Sequence, residues 1–245
     1  MKQERQVLIG ETEYIVIISD EPEALLAARA AGSAVVGLWE PGMDKDYSMV
    51  SYLIERIEDL DGQYLEQVVR RTFGLPLQIA GTGRLVIREL QLSDLEQIPT
   101  EAEDQAGHRI FRNHDTLAAY IEHQYGFFGY GYWGLEDRGS GRLIGIAGVT
   151  GITGDEYGDC LTEESLELGY HIFTPYRRRG YALEACRAII TYVKTELGAK
   201  SLHLKTDASN SASVHLAKRL DFILVQKDNQ QMTELYLLSL YCSKP

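Results

Sequence analysis

Residues 175–185 read PYRRRGYALEA, and what flanks them restricts the fold more than any other stretch of the chain. The preceding SLELGYHIF has the β-rich character of a strand, and the following ALEACRAIITYVKTELG has helical apolar spacing and stops at Gly198. A strand that passes into a helix through a glycine is a joint of an α/β fold. It is also a place where a phosphate can approach bare backbone, because successive N–H groups and the positive end of the helix dipole face the anion. Gly180 has no side chain to obstruct that approach, and Ala182 keeps the next turn small. Arg177, Arg178 and Arg179 add charge that arginine uses well against phosphate. Taken alone, such a run is a solvated basic loop. The strand before it, the helix after it and a second signature about thirty residues on favour a pyrophosphate cradle. Neither GxxxxGKS/T nor GxGxxG occurs, which removes sequence support for nucleotide hydrolysis and dinucleotide binding.

Composition narrows the partners. With 36 acidic and 24 basic residues the formal net charge is -12, which disfavours general binding to DNA or RNA, since phosphate neutralisation needs a basic face. No apolar run approaches the roughly 20 residues that span a bilayer. The start, MKQERQVLIGETEY, lacks the apolar core and cleavage site of a signal peptide. A cytoplasmic location with no membrane partner is therefore expected. Cys160, Cys186 and Cys242 show neither CxxC spacing nor an even disulfide framework, so unpaired thiols are expected. His108, His114 and His123 have no regular ligand spacing, and no metal site is read from them.

The 245 residues fall into two halves. Residues 13–39 give a β-rich run, an alanine-rich helix ended by Gly32 and a second β-rich run, which is one βαβ unit. A helix QYLEQVVRRTFG follows, and Gly81 and Gly83 read as a linker, with the boundary at about residue 82. The pattern then restarts with a strand, RLVIREL, and a helix opened by SDLE, where Ser93 and Glu96 have capping-box spacing. After it come a helix around DTLAAYIEHQYG, a hairpin from YGYWGLED to RLIGIAGVTGI, and an acidic loop, TGDEYGDCLTEE. Beyond the arginine segment lie SLHLKTD, SASVHLAKRL, FILVQ and TELYLLSLY, read as strand, helix, strand and strand.

Residues 177–182 fill the pattern R/Q-x-x-G-x-G/A, and Glu184 and NSASVHLAKRLDF follow it at set distances. In these features residues 84–240 resemble the GNAT superfamily of N-acetyltransferases, in the branch near the ribosomal-protein alanine acetyltransferases. The resemblance implies a mixed, splayed central sheet flanked by helices, with acetyl-CoA as co-substrate and no metal. It places acetyl-CoA at Arg177, Arg178, Arg179, Gly180, Tyr181 and Ala182, with the pantetheine arm along His171, Ile172 and Phe173. Asn210 and Ser213 match family positions near the cofactor, although by themselves they read as a loop residue and a helix-start hydroxyl. Asp221 stands where the family usually has glycine.

The chemistry implied is direct acetyl transfer to a primary amine, of a small molecule or of a protein N-terminus. An acceptor such as a lysine side chain, at a pKa of about 10.4, is almost wholly protonated near neutral pH, so a base must take a proton. The resemblance offers Glu167 for that role; an exposed strand carboxylate is the other reading. Many relatives carry a tyrosine that protonates the leaving thiolate where this chain has Ala217, which leaves Tyr181, water or no acid at all. That departure also supports an alternative: a CoA-sensing or protein-binding module without turnover. The aromatic run YIEHQYGFFGYGYW either packs a core or walls an acceptor pocket. A homodimer is left open.

The first half, through IISDEPEALLAARAAGSAVVGL, resembles the late part of HAD-type phosphatases. Asp20 matches the first acidic position, but Ala24 stands at the second, and no aspartate precedes Asp20 to act as nucleophile. A catalytically silent HAD-like βαβ domain over residues 1–80 is expected, beside an acetyltransferase domain over 84–245.

Overall fold

The computed structural model describes residues 2–42, 45–99, 113–152 and 165–240. The acidic loop at 153–164, Cys160, Cys242 and His108 lie outside the described residues. The chain divides into two compact units, Met1–Leu77 and Gln78–Pro245.

In the first unit, β1 (Lys2–Ile9) and β2 (Thr12–Ser19) form an antiparallel hairpin; β3 (Ala34–Leu38) and the short β4 (Leu53–Ile54) extend the sheet in parallel. Helix α1 (Pro22–Ala30) connects β2 to β3, so the expected βαβ unit is present. Helix α2 (Gly62–Thr72) begins where the Asp61 carboxylate accepts the N–H of Tyr64 at 2.7 Å. Strand alternation separates two cores: Val16 and Ile18 pack with Val68 and Val69 of α2, while Ile17 and Val35 pack with Leu25 and Ala28 of α1. Strand β1 has no counterpart in the sequence pattern. Its KQERQVLI is mostly exposed, so it carries little apolar pattern.

The second unit is built on an eight-stranded sheet in the order β11-β12-β10-β9-β8-β7-β6-β5. Its strands are β5 (Gln78–Gly81), β6 (Leu85–Arg88), β7 (Tyr132–Asp137), β8 (Leu143–Gly151), β9 (Ser165–Ile172), β10 (Ser201–Asp207), β11 (Ile223–Asp228) and β12 (Thr233–Ser239). Every neighbouring pair is antiparallel except β9 and β10. Helix α3 (His114–Tyr120) precedes β7, α4 (Tyr181–Thr195) follows β9, and α5 (Ser211–Arg219) follows β10. Ile189 and Val193 of α4 are fully buried, and the Tyr192 ring meets Trp133 of β7 edge to face at 5.5 Å.

Two expectations are corrected here. Gly81, expected in a linker with Gly83, ends the edge strand Gln78–Gly81 that pairs with β6. The segment Leu92–Gln97 is a 3₁₀ turn whose capping box is made by Gln91 and Asp94 rather than Ser93 and Glu96. Asp94 is bound there because its buried carboxylate takes both terminal nitrogens of Arg88 at 2.9 Å each. Helix α3 widens into π-helical turns over Ile121–Phe128 and ends at Gly129, whose φ of 76° is left-handed.

Candidate active site

Strands β9 and β10 share a register over three residues only, ending at His203 opposite Glu167. Beyond that point β9 continues to Ile172 and β10 to Asp207 with no further pairing between them, so the sheet opens along the last turns of both strands. On its other side β9 stays paired with β8 to Ile172, and the Phe173 N–H donates to the Ile144 carbonyl at 2.9 Å. Main-chain direction alternates along a strand. Leu168, Tyr170 and Ile172 therefore turn their peptide groups toward the opening, whereas His171 and Phe173 turn theirs toward β8. Of the three residues expected along the cofactor arm, only Ile172 turns its peptide groups toward the opening. The Ile172 carbonyl accepts from Arg177 Nε at 2.8 Å, and Arg177 Nη2 lies 3.4 Å from His171 Nε2. Arg177 is thus laid back over the strand end.

The loop that follows is set by two left-handed residues, Arg178 at φ 59° and Gly180 at φ 82°. Gly180 is the N-cap of α4 and brings no side chain to the helix start. The first N–H groups of a helix have no intrahelical acceptor, and a left-handed residue leading into right-handed ones gathers such groups into a concave nest. Gly180, Tyr181 and Ala182 hold this position beside the open end of β9. Arg178 and Arg179 are exposed on the same loop. A Cβ at residue 180 would project 3.5 Å from Arg84 Nη2 on a backbone conformation that L residues rarely adopt. The residues present fit an anionic group approaching main chain.

Glu167 lies opposite Thr150 on β8 and His203 on β10, half-buried. The Tyr132 ring spreads over Gly169, on the same face of the sheet. Burial and then the Glu167 charge push the Tyr132 phenol up to about 12. Tyr132 and Glu167 thus share one electrostatic environment. Asn210 is the N-cap of α5, its Oδ1 accepting the Ser213 N–H at 3.1 Å, and the Ser213 hydroxyl lies 2.7 Å from Tyr170 Oη. Ala217 is fully buried one turn further along α5. Tyr181 does not point into the opening: its ring lies under the Arg84 guanidinium at 4.4 Å, and its hydroxyl reaches Asp137 at 3.3 Å. That removes Tyr181 as donor to a leaving thiolate. Tyr170, which sequence reading passed over, does stand at the opening, and burial pushes it up to about 12.

The family description "Acetyltransferase (GNAT) domain" matches residues 84–223. The chain belongs to the GNAT acetyltransferase family. Among solved structures, one described as a GnaT-family acetyltransferase from Bordetella pertussis is 23% identical, with a TM-score of 0.53 over 64% of this chain and 96% of that one. A ribosomal-protein alanine acetyltransferase from Vibrio fischeri is 14% identical, with a TM-score of 0.51 over 68% and 98%. An N-acetyltransferase from Staphylococcus aureus gives 20%, 0.50, 65% and 100% respectively. At these identities the structures show a shared fold.

As a GNAT acetyltransferase the chain has an aromatic stretch that divides in two. Tyr125 and Trp133 are core, and Tyr120 and Tyr125 fix the start of β7 through the N–H and carbonyl of Tyr132. Phe127 and Phe128 are exposed at the end of the π-helical turns. The core reading of this run therefore holds for Tyr125 and Trp133. Among the described residues no group of histidine, cysteine and acidic side chains is arranged to hold a metal, and no helix is long and apolar enough to cross a membrane.

Proposed function

We propose that this protein moves an acetyl group from acetyl-CoA directly to a primary amine, of a small molecule or of a protein N-terminus, in the cytoplasm. One observation carries the reading. The left-handed Gly180 at the start of α4 opens a nest of main-chain donors beside the divergence of β9 and β10. Gly180, Tyr181 and Ala182 would hold the diphosphate through main-chain N–H groups, with Arg178 and Arg179 supplying charge. Leu168 and Tyr170 would turn their N–H groups to the arm and to the acyl oxygen. Acetyl-CoA supplies a thioester whose carbonyl carbon is open to attack by an amine. Glu167 would take the proton that the amine must lose, and no serine, cysteine or histidine nucleophile is required.

A buried alanine at 217, in place of the tyrosine common among relatives, favours a second reading as a CoA-binding module without turnover. One experiment separates the two: acetyl-CoA is incubated with a panel of amines, with mass readout of acetylated product and of free CoA. Product from at least one amine is expected, and CoA binding without product from any would support the second reading.

Residues 1–77 lie outside the family match, and we read them as a catalytically silent HAD-type remnant that serves docking or regulation. Asp20 directly follows β2, and its carbonyl accepts from Lys45 at 2.6 Å and Tyr47 at 2.9 Å. Magnesium-dependent hydrolysis of generic phosphate esters is expected to be absent, and its presence would refute this reading.

A further inference from the structure

The arginine loop is held by residues about a hundred positions earlier in the chain. The turn between β5 and β6 presents Thr82 and Arg84 to the first turn of α4, where Glu184 receives them both. Glu184 Oε1 accepts from the Thr82 hydroxyl at 2.6 Å and from the Arg84 N–H at 3.0 Å. Its Oε2 takes Arg84 Nε at 2.7 Å and Nη2 at 2.6 Å. The third guanidinium nitrogen, Nη1, donates to the Arg179 carbonyl at 2.9 Å. That carbonyl belongs to the residue between the two left-handed positions, Arg178 and Gly180. A left-handed residue other than glycine costs free energy and persists only where its surroundings impose it. Arg84 imposes it by fixing the peptide between the two, while Tyr181 below and Asp137 beyond stop the guanidinium from swinging away.

We infer that Thr82, Arg84 and Glu184 are positioning residues: they form a clamp that presets the arginine loop in its anion-binding shape, so that binding does not have to order it. This rests on the reading of Gly180 and its neighbours as the diphosphate site of CoA. A preset site binds more tightly because the entropic cost of ordering the loop is met on folding. The clamp reaches the loop through the Arg179 carbonyl, so disrupting it lowers affinity for CoA and leaves the fold intact.

The test measures CoA affinity by titration calorimetry on the full chain, with melting temperature in the absence of ligand as the control. Glu184→Gln and Arg84→Gln are each expected to weaken CoA binding about tenfold, since each removes charge-assisted hydrogen bonds. The double variant is expected to bind no worse than the weaker single, because both changes break one clamp. Arg84→Lys recovers part of the loss, and Thr82→Val, which deletes the hydroxyl's bond to Glu184 at 2.6 Å and its acceptance of the Leu85 N–H at 2.9 Å, weakens binding about threefold. Should Arg84→Gln fail to melt cooperatively, Thr82→Val and Arg84→Lys carry the test. Wild-type affinity in the folded single variants, or single losses that multiply in the double, overturns the clamp while leaving the site reading intact. Absence of heat from CoA with the wild-type chain overturns both.

Discussion

Helices α4 and α5 both follow strands of one sheet, and their first turns are built in opposite ways. At α5 the Asn210 side chain takes the Ser213 N–H, and the Ser213 hydroxyl meets Tyr170, so protein groups serve the helix start. At α4 the cap is Gly180, left-handed and without a side-chain acceptor. Strong clamping at α4 is directed instead at Glu184 and at the Arg179 carbonyl, which shapes the loop and leaves the N–H side open to a ligand. A helix start closed by its own side chains contributes stability, and one that is rigid yet uncapped can bind an anion.

The contrast can be broken most severely at Gly180. Gly180→Val places a branched side chain on a left-handed residue inside the nest, and loss of CoA affinity on the order of a hundredfold is expected by calorimetry. Asn210→Ala is the matching change at α5. It is expected to cost about 1 kcal/mol in denaturant unfolding, the usual penalty of losing a cap, with much less effect on CoA binding than Gly180→Val. If both variants lose CoA equally, the distinction between the two helix starts fails.

Acid sharpens the comparison. Burial raises the Glu184 carboxyl, but hydrogen bonds from Thr82 and Arg84 outweigh it and hold the group below the ordinary 4.5. A carboxylate depressed in the folded state contributes stability above its unfolded value, lost as pH falls through the folded one. Melting temperature should therefore fall more steeply in the wild type than in Glu184→Gln as pH drops below about 4.5, the ordinary value. Parallel curves for the two proteins would contradict it. The smallest effect belongs to Asp221, left-handed at φ 63° after α5, where relatives usually have glycine. Asp221→Gly is expected to gain about 1 kcal/mol or less, read as a small rise in melting temperature.

Much of the second unit was legible because its signals are local. Strand β10 and helix α5 follow directly from SLHLKTD and SASVHLAKRL, and the start of α4 from a glycine placed between strand and helix. Glu184 was visible as a residue of the pattern, but its task was not. Its partners Thr82 and Arg84 sit in a turn that no period or spacing connects to α4. Gly81 read as a linker because a four-residue edge strand carries too little alternation to register. Tyr170 was hidden for a related reason: on the sequence it is one more β-rich residue, and only the divergence of β9 from β10 gives its hydroxyl a setting.

The central claim is that main chain around Gly180, at the uncapped start of α4, receives the diphosphate of the acyl donor. A crystal structure of the chain with CoA tests it directly. Diphosphate oxygens within hydrogen-bonding distance of the N–H groups of Gly180, Tyr181 and Ala182, with the pantetheine arm lying between β9 and β10, is the predicted result. A diphosphate seated elsewhere, or an arm that leaves the opening between those strands empty, would contradict it.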